Sequence, residues 1–131
     1  MSSHPSQHKS KGGFGRVFKA AGYSINGLYA ALRYEAAFRQ ELLLALILAP
    51  AAFWVGETVL QVLLLLSTLL IVLIVELLNS AIEAVADAVT LENNVLIGRA
   101  KDLGSAAVLL SLLMTAGIWT ALLLNKWLPF I

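Results

Sequence analysis

The fold turns on one stretch, TVLQVLLLLSTLLIVLIVELLNSAIEAVADAV, residues 58–89. Its first eighteen residues carry no charge, enough apolar chain for a membrane helix. Glu76, Glu83 and Asp87 then follow on what reads as the same helix. At about 100° per residue, Glu76 and Glu83 are about 20° apart around the axis, and Glu83 and Asp87 about 40°. Asn79 and Ser80 fall in the same stripe. The helix therefore carries a polar ladder at one end. Carboxylates are costly in hydrocarbon, so an acid at this position asks for a functional reason.

Depth supplies part of it. If the helix enters the membrane at Thr58, it has risen about 27 Å by Glu76, against a hydrocarbon thickness of about 30 Å. Glu76 is then expected at the edge of the apolar layer, with Glu83 and Asp87 farther into the headgroup zone. Ser80, Ala81, Ala84 and Ala88 are small and permit close helix contacts.

The rest of the chain agrees with a membrane reading. Of 131 residues, 60% are hydrophobic and 13% charged, roughly half the usual charged fraction of a soluble domain. A net charge of +1 gives no case for nucleic acid, and the absence of cysteine excludes disulfide and thiol chemistry. No signal peptide is visible ahead of the first apolar stretch. Residues 1–13 read as a disordered polar tail. His4 and His8 have helix-like metal spacing, but Pro5 argues against a formed site there.

Residues 14–131 read as one membrane domain. Phe14, Phe18, Ala21, Ile25, Leu28 and Leu32 recur at steps of three and four, which predicts an amphipathic surface helix over 14–33. Three spans are expected, at about 35–56, 58–88 and 99–124. Gly56 and Glu57 mark a tight connection, and residues 90–98 a longer loop. Lys9, Lys11, Arg16, Lys19, Arg33, Arg39, Arg99 and Lys101 fall on one side and Lys126 alone on the other. That bias predicts a cytoplasmic amino terminus, with Trp54 and Trp127 near the outer interface.

At the inner end the first span brings Glu35, Arg39, Gln40 and Glu41, and the third brings Arg99, Lys101, Asp102 and Ser105. Carboxylates alone suit a hard divalent cation; carboxylates with Lys and Arg suit a metal-bound polyphosphate. For the more superficial acids, an ordinary solvated helix end is the competing reading. There is no G-x-x-x-x-G-K-[ST] loop, no G-x-G-x-x-G, no H-E-x-x-H and no nucleophile elbow. A membrane enzyme at the inner interface and a small ion-coupled transporter both remain on these residues. Charge-free outer halves favour the enzyme, because transporters place their acid near the midplane. A purely structural oligomer leaves the ladder unexplained.

KAAGYS (19–24), EAAFRQE (35–41), VELLNSAIEAVAD (75–87) and GRAKDLGSAAVLL (98–110) together resemble the small bacterial integral-membrane diacylglycerol kinase family over about residues 14–124. FRQE and NSAIEA look more like its Gram-negative members than the related undecaprenol kinases. The resemblance implies an all-α homotrimer in the bacterial inner membrane. It also implies magnesium-dependent transfer of the ATP γ-phosphate to diacylglycerol, giving phosphatidic acid. By the same resemblance Glu76 is the base, with Asn79 and Lys101 also catalytic, and Glu35 and Glu83 hold the metal. Arg16, Tyr23, Glu35, Glu83, Asp87, Glu92, Lys101 and Asp102 match nucleotide-side positions. Arg16, Glu41, Glu76 and Ser105 match positions near the lipid. Ala88 stands where the family commonly has Arg and Asn94 where it often has His, both bearing on adenine recognition.

Overall fold

The structure, a computed structural model, describes residues 13–89 and 92–128. Apart from Gly13, the tail expected to be disordered lies outside the described residues, as do His4, His8, Thr90 and Leu91. The described residues form four α-helices and no strand: α1 Phe14–Tyr34, α2 Ala36–Val55, α3 Val59–Val89 and α4 Val95–Trp127. The chain divides into two units, one ending at Tyr34 and one starting at Glu35.

The first unit contains α1. Its apolar residues stand mostly in the open: Phe14, Phe18, Ile25 and Tyr29 are all exposed, as are Arg16 and Lys19. Ser24 turns its hydroxyl back onto the Ala20 carbonyl at 3.0 Å, which satisfies the side chain within the helix.

In the second unit α3 is central, packed along α4 and against α2. All three helices are long and apolar enough to cross a membrane. By rise per residue α2 is about 30 Å long, α3 about 46 Å and α4 about 50 Å. Only α2 matches the hydrocarbon thickness; α3 and α4 overshoot it, and the overshoot of α3 carries its polar ladder. Glu35, with extended backbone, precedes α2, so this span does begin upstream of its purely apolar run, and the helix continues past Pro50.

The buried core is small. Ala52, Val55 and Leu65 are enclosed, with Leu66, Ile118, Trp119 and Leu122 packed on them. Above it runs a chain of hydroxyl contacts. Thr68, buried, donates to the Leu65 carbonyl at 2.6 Å and accepts from the Trp119 indole at 3.0 Å. Thr115 donates to the Ser111 carbonyl at 2.8 Å. Of these only the Trp119–Thr68 bond joins two helices, α4 to α3, and interhelical bonds of this kind contribute about 0.6 kcal/mol each on average in membrane proteins. Elsewhere large side chains such as Leu60 and Leu110 stay exposed, an arrangement suited to lipid or to other copies and not to water.

The core lies at the end of the bundle where α2 and α4 finish and α3 begins. There Trp54 and Trp127 stack at a tilt with centroids 6.4 Å apart, and the Lys126 ammonium lies 4.5 Å from the Trp54 ring centroid while donating to the Trp54 carbonyl. A cation at a helix C-terminus offsets the partial negative charge of the last carbonyls. At the start of α3, Thr58 Oγ1 accepts from the Gln61 amide at 3.1 Å and Gln61 Oε1 accepts from the Glu57 amide at 2.9 Å, a pattern close to a capping box.

The fourth helix begins earlier than the expected 99. Asn94 Oδ1 accepts from the amides of Leu96 at 2.9 Å and Ile97 at 3.3 Å, which caps the helix and lets it start at Val95. The supposed loop over 90–98 is thereby shortened by an extra helical turn.

Gly56 joins α2 to α3 with an ordinary negative φ of −74°. Its constraint is space: a Cβ there would lie 2.7 Å from Val62 Cγ2, 2.9 Å from the Val62 nitrogen and 3.1 Å from the Ala52 carbonyl oxygen. Two of these are backbone atoms and cannot swing aside. Gly56→Ala is expected to destabilise the bundle by roughly 1–3 kcal/mol, as overpacking does. Thermal denaturation in detergent checks this, and an unchanged midpoint would show that the connection yields freely.

Candidate active site

The opposite end of the α2–α4 bundle gathers the acids. Along α3 burial falls steadily: Glu76 is 5% exposed, Asn79 8% and Ser80 9%, Glu83 is half-buried and Asp87 exposed. The 3.6-residue period puts these side chains on one stripe, and α2 and α4 cover its deeper part. Glu41 of α2 reaches Glu76 closely enough to share a hydrogen bond, and Glu35 and Glu83 are near enough for their charges to act on Glu76. Glu35, Glu41 and Glu83 thus each lie within electrostatic reach of Glu76, with Glu41 the nearest partner.

Asn79 Nδ2 donates to Glu83 Oε1 at 3.4 Å, a long bond that still orients the carboxylate. Lys101 of α4 pairs with Asp87 at 2.6 Å. Both partners are roughly half exposed, so the pair is readily exchanged for another anion. Asp87, Glu92, Asn93, Asn94, Ile97, Gly98 and Lys101 line a cavity of about 250 Å³ at the α3–α4 connection. Three nucleotide-side candidates, Asp87, Glu92 and Lys101, therefore share one cavity.

Two other candidates of this unit are not brought in. Asp102 and Ser105 are exposed on α4. Gly104 is buried on that helix, as is Ser111, and Asp102 lies about 160° from Gly104 around the axis, so it turns away from α3 in its own chain. Arg16 and Tyr23 are exposed on α1, in the other unit.

Three buried side-chain atoms of the described residues have no hydrogen-bond partner: Glu41 Oε2, Asn79 Oδ1 and Ser80 Oγ. All are oxygens in this one layer, and buried polar groups without partners call for an explanation. Oxygen donors are what a hard cation and a hydroxyl-bearing substrate both accept. Among the described residues no three or more His, Cys, Asp or Glu side chains form a group that could hold a metal ion. Magnesium rarely uses an all-protein cage; it is held by one or two carboxylates together with substrate phosphates and water. Glu35 and Glu83 are the carboxylates that would serve such a site, and Glu83 has its amide partner in place.

One contributor escaped sequence reasoning. Asn94 was legible as a helix cap, a polar residue directly before the apolar VLI, but registered only as a departure from the family pattern. Ser80, placed in the stripe by its spacing, is buried beside Asn79.

Fold and site together define a multi-pass helical membrane protein with an acidic site at one end of its bundle. A family model described as prokaryotic diacylglycerol kinase matches residues 22–123. The diacylglycerol kinase of Escherichia coli is 50% identical over 111 residues, covering 85% of this chain and 91% of its own. That of Pseudomonas aeruginosa is 46% identical over 121 residues, covering 92% and 98%, and that of Helicobacter pylori 39% over 127, covering 97% and 98%. The chain belongs to the prokaryotic diacylglycerol kinase family, and it is an enzyme of the kinase class.

Glu76 lies buried against a second carboxyl, so its charge is a cost to the fold. Replacing it by the neutral, equally sized amide in Glu76→Gln is expected to leave the thermal midpoint at or above the parent's. A midpoint several degrees lower would make the carboxylate itself a fold contact.

Proposed function

We propose that the protein phosphorylates diacylglycerol with ATP at the cytoplasmic face of the bacterial inner membrane, giving phosphatidic acid and ADP. The observation that carries this reading is the position of Glu76. It is a buried acid at the end of the apolar run of α3, between Glu41 on one side and the Asn79–Glu83 pair on the other. Family membership supplies the reaction class.

A lipid hydroxyl is a weak nucleophile. Glu76 takes its proton as the lipid oxygen forms a bond to the γ-phosphorus, and the bond from that phosphorus to the β–γ bridging oxygen breaks, releasing ADP. Partial desolvation makes a carboxylate the better proton acceptor. Glu41 and Ser105 line the acceptor side. Glu35 and Glu83 hold magnesium, which offsets the charge of the phosphate oxygens when bound. Lys101 exchanges Asp87 for phosphate, and Asp87, Glu92 and Asp102 stand on the nucleotide side. Arg16 and Tyr23 contribute from α1, which lies as an amphipathic helix along the membrane surface with the amino terminus inside.

The working form is a homotrimer. Ala81 and Ala84, small and exposed, offer close contacts, an apolar groove of about 500 Å³ runs past Ala81 and Ala100, and Asp102 and Ser105 are exposed on α4; Ser80, of the same small-residue stretch, is buried within its own chain.

The test is purified protein in lipid, given labelled ATP and a panel of diacylglycerol, ceramide and undecaprenol, with and without magnesium. Phosphorylation of diacylglycerol only with magnesium, and much poorer use of undecaprenol, is expected. Equal or better turnover of undecaprenol would move the protein to that acceptor class. In the same assay Glu35→Gln and Glu83→Gln should each raise the magnesium concentration needed for half-maximal rate, since each removes an anionic oxygen ligand. Parental metal dependence in both would remove them from the metal site.

A further inference from the structure

Gly104 is buried where α4 faces the ladder of α3. A Cβ built on it would lie 2.3 Å from Asn79 Oδ1, far inside the 3.0 Å that real Cβ contacts respect. The next atoms, Asn79 Cγ at 3.4 Å and Ile82 Cδ1 at 3.6 Å, are at near-ordinary contact distance. The space that a side chain at 104 would take is thus already occupied by one atom, the amide oxygen of Asn79.

That oxygen is buried and has no hydrogen-bond partner, so no directed bond holds it in place. What holds it is the shape of the slot. The amide is planar and rigid, so placing Oδ1 also aims Nδ2, and Nδ2 is the group that donates to Glu83 Oε1 at 3.4 Å. Glu83 can only accept when ionised, which fixes the sense of the amide.

We infer that Gly104 is a positioning residue. By carrying no side chain it forms the slot that seats the Asn79 amide, and through that amide it orients the Glu83 carboxylate. The inference rests on the reading of Glu83 as a metal ligand and adds a residue on a different helix to the machinery. The displaced group in Gly104→Ala is the far end of one flexible side chain and no backbone atom. The fold therefore absorbs the substitution, and the amide does not keep its place.

The experiment compares the parent, Gly104→Ala, Asn79→Ala and the double variant. Thermal midpoint, magnesium dependence of diacylglycerol phosphorylation, and the ¹⁵N-labelled side-chain amide signal of Asn79 are measured. Gly104→Ala should fold with a midpoint near the parent's. It should shift the Asn79 amide signal and raise the magnesium requirement by roughly tenfold or more, the usual cost of losing a partner that orients a ligand. Adding Gly104→Ala to Asn79→Ala should change nothing further, because the group it displaces is gone. An unshifted amide signal overturns the inference. So does a parental magnesium requirement in Gly104→Ala, an equal cost in both backgrounds, or a Gly104→Ala chain that does not fold. A parent that fails to phosphorylate diacylglycerol would refute the functional reading instead. The amide signal and the midpoints then still decide whether Gly104 seats Asn79.

Discussion

Burying a carboxylate costs several kcal/mol unless its surroundings compensate, and Glu76, at 5% exposure, is such a group. The arrangement around it follows from that cost. The acid sits at the end of an apolar run, one turn from polar neighbours. A second acid from α2 shares its hydrogen-bonding space, and an amide one turn along α3 reaches onward to Glu83. A helix bundle built only for stability would have an apolar residue here. Among the described residues three unpartnered buried oxygens instead fall in the same layer, while the other end of the bundle is closed by apolar packing, hydroxyl bonds and the Lys126–Trp54 contact.

This division of labour between the two ends depends on helix length. α2 is only about as long as hydrocarbon is thick, whereas α3 and α4 run on by roughly three helical turns. The extra turns let one stripe of α3 pass from a dry environment at Glu76 to a wet one at Asp87. Chemistry joining an apolar acceptor to a charged donor needs both environments within reach, and a continuous helix supplies them without a loop. The antiparallel return of α4 then sets Lys101 beside Asp87 and Gly104 against Asn79.

Much of this was legible in the chain itself. Apolar runs and the flanking charges gave the three spans, because hydrophobic length is a property of composition. The stripe from Glu76 to Asp87 was legible because helical periodicity is local. The convergence of Glu35 and Glu41 on Glu76 was anticipated only as a shared layer, since which acids touch depends on how α2 rotates against α3. The Asn94 cap moved the start of α4 by a turn, a boundary set by one side-chain acceptor. The Lys126–Trp54 contact joins residues 72 positions apart, and no local pattern announces it. Gly104 was invisible for the same reason: a glycine in a small-residue run says nothing of the atom that fills its empty space.

The central claim is that Glu76 is the proton acceptor for a lipid hydroxyl. It is tested most directly by the turnover of Glu76→Gln, measured beside its nucleotide affinity and oligomeric state. Gln keeps the size and much of the hydrogen bonding but cannot take the proton. Turnover should fall by about 10²–10⁴-fold, the usual loss on removing a general base, with assembly and nucleotide binding retained. A fall of less than about tenfold, or a fall that tracks loss of assembly, would contradict the claim and leave the buried acid a structural role.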